Sequence, residues 1–364
     1  MKKYLALLVV SILLFSCEDE MKEQGQVVLD LPTESYTYSA GDELGTLGRV
    51  LFYDKQLSVN NAISCASCHK QGLAFSDERQ FSRGFNNRLT TRNSMPIQNL
   101  ASSDVFFLDE AISSFRSFLP TSVTGLFWDG RGEDHTLSLL LPIVNHIEMG
   151  VDDLNELSQK LSEVDYYPQL FQNAFGSKEI TPERLGVALQ AFTHSISSGN
   201  TKFDQHMQEG NVLSGMEALG MQLFMEKYDC NTCHQVQDPQ GYIFAGTFSN
   251  IGLEPEYADE GLELTTNQTF DNGKFKIPSL RNVALTAPYM HDGRFETLEE
   301  VVDHYKTGVT DHPNLDPRLK NEDGSIKRPK ISRSETQTII AFLNTMTDYE
   351  MISDERFSNP FKVQ

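Results

Sequence analysis

The motif Cys-x-x-Cys-His occurs twice in the chain, at residues 65–69 and 230–234. Two thiols three positions apart can form thioether bonds to the two vinyl groups of one porphyrin, and the adjoining imidazole can then bind its iron. Each copy therefore predicts a covalent c-type haem with a histidine on its iron. The residues concerned are Cys65, Cys68, His69, Cys230, Cys233 and His234.

Three other interpretations compete for a Cys-x-x-Cys pair. One pair can act as a redox dithiol, two pairs can hold one zinc ion, and two pairs can form structural disulfides. None of these uses requires a histidine directly after the second cysteine in both copies. The chain has 5 cysteines, and the fifth is Cys17, in the N-terminal segment.

The N-terminal segment, residues 1–17, has the pattern of an export signal. Two lysines precede an apolar run over residues 4–15, which is too short to span a bilayer and is followed by Ser16 and Cys17. A small residue before cysteine resembles a lipoprotein signal, so we expect an exported protein, periplasmic or anchored at the outer membrane by lipid on Cys17. Ordinary secretion with loss of Cys17 is the alternative. Residues 18–37 are acidic and predict a flexible tether.

The composition is that of a soluble globular protein long enough for two domains. Hydrophobic residues make up 39% and charged residues 22% of the 364 positions. The net charge is −21 without any basic run, which argues against nucleic-acid binding. An acidic surface favours a basic protein partner, although a solvated acidic surface is the commoner explanation.

An internal repeat surrounds the two haem motifs. Residues 44–52 and 216–224 carry apolar side chains at positions i, i+3 and i+7, the stripe of an amphipathic helix, and a glycine recurs at the same place. Since glycine inside a helix costs about 1 kcal/mol relative to alanine, its repetition at Gly48 and Gly220 predicts close helix contacts. Each half therefore begins with a helix followed by a haem motif.

Each half is also predicted to end in a helix. Thr181 and Pro182 are a start signal, and residues 185–196 then form one apolar face. In the second half, Ser334-x-x-Gln337 reads as a capping box before an apolar face over residues 339–346. This predicts a mainly α fold with cytochrome c-like haem domains over residues 38–200 and 201–350, followed by a C-terminal tail over 351–364.

With both motifs in place, the sequence resembles the bacterial di-haem cytochrome c peroxidase family, which includes the MauG-like enzymes. The resemblance covers about residues 40–350 and is specific because several stretches agree together. These stretches are residues 51–54 (LFYD), 92–96 (RNSMP), 127–131 (FWDGR), 145–149 (NHIEM), 278–283 (PSLRNV) and 287–293 (APYMHDG).

The resemblance implies two haem domains packed face to face, with peroxide reduced at the first haem and electrons received at the second. Glu148 matches the family's acid–base carboxylate, which moves a proton between the two peroxide oxygens. Trp128, the only tryptophan, matches the residue that relays electrons between the haems. The implied partners are hydrogen peroxide and a small c-type cytochrome or cupredoxin donor, with a homodimer as the expected assembly. Matches to the family's calcium site between the domains are Asn93, Thr286 and Pro288.

One departure from the family concerns the loop after the first motif. Peroxidases that need reductive activation carry a histidine there, which blocks the peroxide haem at rest. By spacing, Phe85 takes that position, and no histidine occurs between His69 and His135. We therefore expect an iron open to peroxide in the oxidised protein, with His135 and His146 as the nearest rival ligands.

A second departure concerns the far side of the second haem. Well-studied peroxidases place a methionine where this chain has Tyr305, and MauG-like members have tyrosine there. Tyr305 is thus the expected iron ligand, with His304 and Met290 as rivals. A phenolate would stabilise ferric iron, whereas a thioether raises the potential. Ser138 also stands where many members carry a pocket glutamine.

These features leave three functions open. The leading one is a cytochrome c peroxidase. The second is a MauG-like oxidase that modifies a residue on a protein substrate. The third is an electron-transfer cytochrome without catalysis, against which Glu148 beside an open iron argues.

The first prediction concerns cofactor content. Protein made in a host that matures c-type haem should carry two covalent haems, because both motifs supply two thiols and one imidazole. Intact-mass spectrometry measures this directly. A zinc ion bound by the four motif cysteines, without covalent haem, would contradict the interpretation.

Overall fold

The computed structural model describes residues 28–29, 42–100, 126–131, 135–236 and 248–362. Cys17, the predicted signal and most of the predicted tether lie outside these residues. No helix in the described ranges has the length and apolar character needed to cross a membrane.

The described residues are mainly helical, as the sequence predicts. The α-helices are α1 (Asp42–Tyr53), α2 (His135–Ser138), α3 (Leu141–Val144), α4 (Leu154–Ser162), α5 (Tyr167–Phe175), α6 (Pro182–Ser195), α7 (Lys202–Glu209), α8 (Gly215–Gln222), α9 (Glu263–Thr266), α10 (Leu298–Asp303) and α11 (Arg333–Asn344). Wider π-helical turns continue α8 over Leu223–Lys227 and α10 over His304–Gly308. The strands are β1 (Val28–Leu29), β2 (Phe248–Ser249), β3 (Phe275–Lys276) and β4 (Phe361–Lys362), paired antiparallel as β1–β4 and β2–β3.

In each half, the helix that precedes the haem motif crosses the last helix at a glycine, which confirms the prediction for Gly48 and Gly220. A Cβ on Gly48 of α1 would lie 1.9 Å from the carbonyl oxygen of Ala188 on α6. A Cβ on Gly220 of α8 would lie 2.1 Å from the carbonyl oxygen of Thr338 on α11. Only glycine permits backbones to approach this closely.

The buried side chains form two hydrophobic clusters. The predicted face of α6 lies in the first cluster, where Leu185 and Phe192 are buried. The predicted face of α11 lies in the second, with Ile339 and Phe342. Thr181 caps α6 as predicted, by accepting a hydrogen bond from the backbone N–H of Arg184.

Two local predictions in the second half are wrong. The capping box of α11 is formed by Ser332 and Glu335, so the helix begins earlier than the Ser334 pattern indicated. The apolar stripe before the second motif is only partly buried, because Met216 and Leu219 are 50% and 49% exposed. The face of this helix that packs on α11 instead runs through Gly220 and the buried residues that follow it.

The C-terminal segment returns to the first half of the chain. Met351 and Phe357 are buried in the first cluster, and the hydroxyl of Tyr53 donates a 2.6 Å hydrogen bond to the carbonyl of Phe357. Strand β4 then pairs with β1. The C-terminal segment therefore packs against the first half of the chain, which contains α1.

The helix crossing gives a stability prediction. Gly48→Ala should destabilise the holoprotein by about 1–3 kcal/mol, since the added methyl group overpacks the contact with α6. Chemical unfolding followed by circular dichroism measures the change. Gly215→Ala in α8 is the matched control, because its Cβ would meet no atom within 4 Å. Equal stability of the two variants would contradict the close-crossing account.

Candidate haem sites

Both Cys-x-x-Cys-His motifs adopt the same tight turn. A 3₁₀ turn covers Cys65–Ser67, and another covers Cys230–Thr232. The backbone N–H of His69 donates to the carbonyl of Cys65 at 2.9 Å, and that of His234 donates to the carbonyl of Cys230 at 3.0 Å. The two halves thus present their thiols and imidazole in the same arrangement.

The cysteines do not support the disulfide or zinc interpretations. All four thiols are free, and the two motifs pack against different hydrophobic clusters. Within the described residues, no three or more histidine, cysteine, aspartate or glutamate side chains are placed to share a metal ion. The donor set that remains is two thiols and one imidazole in each half, which fits a covalent haem.

Each motif histidine has one ring nitrogen oriented by the backbone. Nδ1 of His69 lies 2.9 Å from the carbonyl oxygen of Phe75, and Nδ1 of His234 lies 3.3 Å from that of Pro278. This contact orients each ring, and Nε2 is the nitrogen that would bind iron. Burial lowers the pKa of both imidazoles, that of His234 to about 4, so both are neutral at neutral pH.

A cavity of about 520 Å³ opens beside His234. Its wall includes the second motif, many aliphatic and aromatic side chains, and Tyr305. This volume and apolar lining are those of a cofactor pocket. The second half therefore combines the attachment residues with space for the cofactor.

The structure separates the candidate ligands for the far side of the second haem. Tyr305 and Met290 both line the cavity. His304 is buried, and its Nε2 lies 3.0 Å from the carbonyl oxygen of Ile251, so this nitrogen is occupied by the backbone. Burial raises the pKa of Tyr305 well above 10, so its phenol stays neutral unless a metal ion displaces the proton.

The carboxyl group of Glu148 lies near the first motif. Burial raises the pKa of Cys65 to about 12, and the negative charges of Cys68 and Glu148 contribute to that rise. Burial also raises the pKa of Glu148 itself, with a partial offset from the charge of Arg131. Glu148 is thus a carboxyl whose proton affinity is shifted toward neutral pH within electrostatic reach of the haem-binding thiols.

Asn145 holds the Glu148 side chain. Its side-chain NH2 donates to Oε1 of Glu148 at 2.9 Å, while its own oxygen accepts from the backbone N–H of Ile147 at 2.8 Å. The sequence analysis used Asn145 only as part of a matching stretch. Asn145 stands three residues before Glu148, and this spacing was the sequence signal from which the contact between the two side chains could have been predicted.

The loop carrying Phe85 lies directly against Glu148. The backbone N–H of Phe85 donates to the carbonyl of Glu148 at 2.8 Å, and a Cβ on Gly84 would lie 1.9 Å from the carbonyl oxygen of Ile147. Gly150, with φ of +72°, leaves room for the Phe85 ring. The phenylalanine at the predicted loop position is therefore fixed by close backbone contacts.

The rival histidines for the first haem are placed as follows. His146 is exposed, and its carbonyl accepts a 2.9 Å hydrogen bond from Nη1 of Arg88 on the same loop. The side chain of His135 lies outside the described residues. Ser138 is buried, and its hydroxyl has no hydrogen-bond partner in the described part of the chain.

Trp128 is buried where the two halves meet. Its indole N–H donates to the carbonyl of Asn93 at 2.9 Å, and its own carbonyl accepts from the backbone N–H of Lys276 at 2.9 Å. Its ring lines the same cavity as His234. Trp128 is thus bonded to the first half through its indole and to the second half through its backbone carbonyl.

The three predicted calcium ligands also line this cavity. Asn93 donates its side-chain NH2 to the carbonyls of Arg79 and Gln80, at 3.1 and 3.3 Å, which turns its side-chain oxygen the other way. Thr286 and Pro288 could contribute carbonyl oxygens, which are suitable donors for Ca²⁺. All three residues therefore line the same cavity, which is the one beside His234.

The sequence analysis missed an ion-pair group beside Trp128. Arg92 contacts Asp259 at 2.7 Å and Asp129 at 2.5 Å, and all three side chains are largely buried. Arg92 and Asp129 belong to stretches that carried the resemblance, but a single sequence gives no signal that they pair with Asp259. This group joins the two halves next to the indole.

Comparison with known protein families gives a match over residues 42–211 to the di-haem cytochrome c peroxidase model. The methylamine utilization protein MauG of Methylorubrum extorquens is 31% identical over 304 residues, which cover 82% of this chain and 77% of that protein. The cytochrome c551 peroxidase of Nitrosomonas europaea is 28% identical, over 84% of this chain and 80% of that protein.

Solved structures give the same picture of the fold. The crystal structure of a MauG-like protein associated with microbial copper homeostasis matches with a TM-score of 0.71 and 32% identity, over 92% of this chain and 96% of that one. The dihaem peroxidase BthA of Burkholderia thailandensis matches with a TM-score of 0.68 and 20% identity, over 90% and 93% of the two chains.

The close loop contact at Glu148 gives a prediction. Gly84→Ala should push the loop from Glu148 and raise the hydrogen-exchange rate of the Phe85 amide by roughly tenfold or more, because overpacking weakens the local structure. Gly72→Ala is the control, since its Cβ would meet no atom within 4 Å. Unchanged exchange in Gly84→Ala, measured on the holoprotein, would show that the loop is not held by this contact.

Proposed function

The chain belongs to the di-haem cytochrome c peroxidase family, and from this premise we propose that it reduces hydrogen peroxide to two water molecules with two electrons from a small external donor protein and two protons. The observation that carries the proposal is the half-buried carboxyl of Glu148, whose pKa is raised by burial, within electrostatic reach of the first Cys-x-x-Cys-His motif. A carrier that only transfers electrons has no need for such a group.

The two motifs bind two c-type haems, the cofactors of this family. When bound, the haems supply iron that binds peroxide at the first site and accepts electrons at the second. His69 and His234 hold the irons through Nε2, while the carbonyls of Phe75 and Pro278 fix their rings. Tyr305 is our proposed second ligand in the second site, supported by its place on the cavity wall.

Glu148 moves the proton in this proposal. Its carboxylate would accept a proton from the peroxide oxygen closer to the iron and return it to the more distant oxygen. The O–O bond then breaks, and the more distant oxygen leaves as water. Asn145 holds Oε1, so Oε2 is the oxygen free to exchange the proton. The raised pKa of Glu148 brings its proton affinity closer to neutral pH, where the carboxyl can both accept and return it.

Trp128 carries electrons between the two haem domains, which we place at residues 38–200 and 201–350 and pack face to face. Its hydrogen bonds to Asn93, through the indole, and to Lys276, through the backbone, support this role because they tie the residue to both domains. A calcium ion bound by Asn93, Thr286 and Pro288 would stabilise the same region. The proposal also includes export to the periplasm and a lipid on Cys17.

A second function is MauG-like oxidation of a residue on a protein substrate. The observation that favours it is Tyr305, which stands where MauG-like members have tyrosine and lines the cavity beside His234. Rapid turnover of peroxide with a reduced donor cytochrome supports the peroxidase. Slow turnover with that donor, together with modification of a protein encoded nearby, supports the oxidase.

The acid–base role predicts the behaviour of Glu148→Gln. This variant keeps the side-chain shape but cannot accept a proton, so peroxidase turnover should fall roughly 10²–10⁴-fold. Oxidation of reduced donor cytochrome by peroxide measures the rate, with the exposed Glu163→Gln as control. Turnover of Glu148→Gln within about twofold of wild type would remove this residue from the proton-transfer step.

The pH dependence of kcat/KM tests the same role. The rate requires the deprotonated carboxylate, so it should fall as the pH drops through the pKa of Glu148. Because burial raises that pKa, the acid limb should lie above the ordinary glutamate range. Glu148→Gln should lack this limb, and a limb unchanged in that variant would point to another group.

Trp128→Phe should retain both haems but slow electron transfer between them, because phenylalanine is harder to oxidise and lacks the N–H bonded to Asn93. Rapid mixing with peroxide, followed by the absorption of each haem, measures the transfer. Tyr349→Phe, at a side chain 70% exposed, is the control. Unchanged transfer would show that Trp128 acts only in packing.

A further inference from the structure

Lys276 places a cation in the wall of the cavity that contains His234. Its backbone belongs to β3, and its N–H donates to the carbonyl of Trp128. Its side-chain nitrogen has no hydrogen bond or ion pair with the described residues, and burial lowers its pKa to about 8. A buried ammonium group without a partner is unfavourable, so a negative group in the cavity would compensate it.

The other cations of the cavity wall are already engaged or solvated. Arg318 pairs with Asp316 at 2.6 Å, Arg328 donates to the carbonyl of Val309 at 2.6 Å, and Lys227 pairs with Glu335. Lys327 is exposed. Lys276 is therefore the half-buried cation of this wall that remains available to a bound anion.

The backbone places Lys276 beside Trp128. Its N–H lies 2.9 Å from the carbonyl oxygen of Trp128, and both residues line the cavity that contains the second motif. The side chain of Lys276 therefore belongs to the same space as the haem that this motif would attach.

We propose that Lys276 forms an ion pair with a propionate of the haem attached to Cys230 and Cys233. The inference rests on the proposed function because it assumes that haem. The vinyl groups, which bond to the cysteines, and the propionates occupy opposite edges of a protoporphyrin. The propionates would be the anionic groups of the haem in this cavity, and Lys276 is the cation of its wall that could neutralise one of them.

This pair makes Lys276 a positioning residue for the second haem. The ammonium group fixes the propionate edge, and the Lys276 backbone is bonded to Trp128. The cation also offsets the negative charge of the carboxylate near the iron. Removing it leaves more negative charge beside the haem, which favours ferric iron and lowers the reduction potential.

The test is the reduction potential of the second haem in holoprotein variants, measured by spectroelectrochemistry. Lys276→Met should shift the potential to a lower value, and Lys276→Arg should restore it toward wild type because the positive charge is kept. Lys327→Met, at an exposed lysine of the same wall, should shift the potential less, because water screens its charge. Haem content is first confirmed by intact mass.

An unchanged potential in Lys276→Met with two haems attached would overturn the proposal, and so would an equal shift in Lys327→Met. If Lys276→Met does not retain the second haem, a crystal structure of the wild-type holoprotein decides. A propionate oxygen within about 4 Å of Lys276 Nζ supports the pair, and propionates bound only by other residues refute it.

The proposed function fails by a different result. Wild-type protein that carries two haems but does not turn over peroxide would contradict the peroxidase and leave the Lys276 measurement valid. Wild-type protein without a second covalent haem would overturn both.

Discussion

Each half of the molecule depends on a short turn that must present two thiols and one imidazole to the same porphyrin. The motif carbonyls and N–H groups close this turn, and a carbonyl from outside it holds Nδ1 of His69 or His234. The contact is needed because a metal-binding imidazole must keep one tautomer and one ring orientation. Close crossing at Gly48 and Gly220 then brings the helix before each motif against the last helix of its half.

The two halves share this frame but differ in the chemistry around it. Near the first motif, Glu148 is held by Asn145 and lies under a loop fixed by Gly84 and Phe85. Beside the second motif, the cavity wall instead offers Tyr305. In our proposal, Glu148 transfers protons on the first side and Tyr305 binds iron on the second, which would divide peroxide chemistry from electron supply. Trp128 and the Arg92 ion pairs connect the two sides.

The sequence predicted features that repeat or follow a helical period. Both haem motifs, the buried face of α6 and the glycine contacts could be predicted because each depends on local spacing. The first residue of α11 could not be predicted, because Ser332-x-x-Glu335 and Ser334-x-x-Gln337 both fit the capping-box pattern. In the structure the capping box is formed by Ser332 and Glu335.

Long-range contacts could not be predicted from the sequence for a different reason. The return of Phe357 and β4 to the first half, and the pairing of Arg92 with Asp259, join positions far apart in the chain. Such pairs leave no periodic signal in a single sequence. The place of Lys276 in the cavity wall likewise could not be predicted, because residues from many parts of the chain form that cavity.

The central claim is that the first haem is open to peroxide in the fully oxidised protein. The loop after His69 carries Phe85 in place of a ligand, and its contacts with Glu148 hold it in position. Electron paramagnetic resonance of the oxidised holoprotein tests this most directly. The account predicts a high-spin ferric signal from the first haem and reaction with peroxide without prior reduction. Two low-spin ferric signals with no high-spin signal would contradict it.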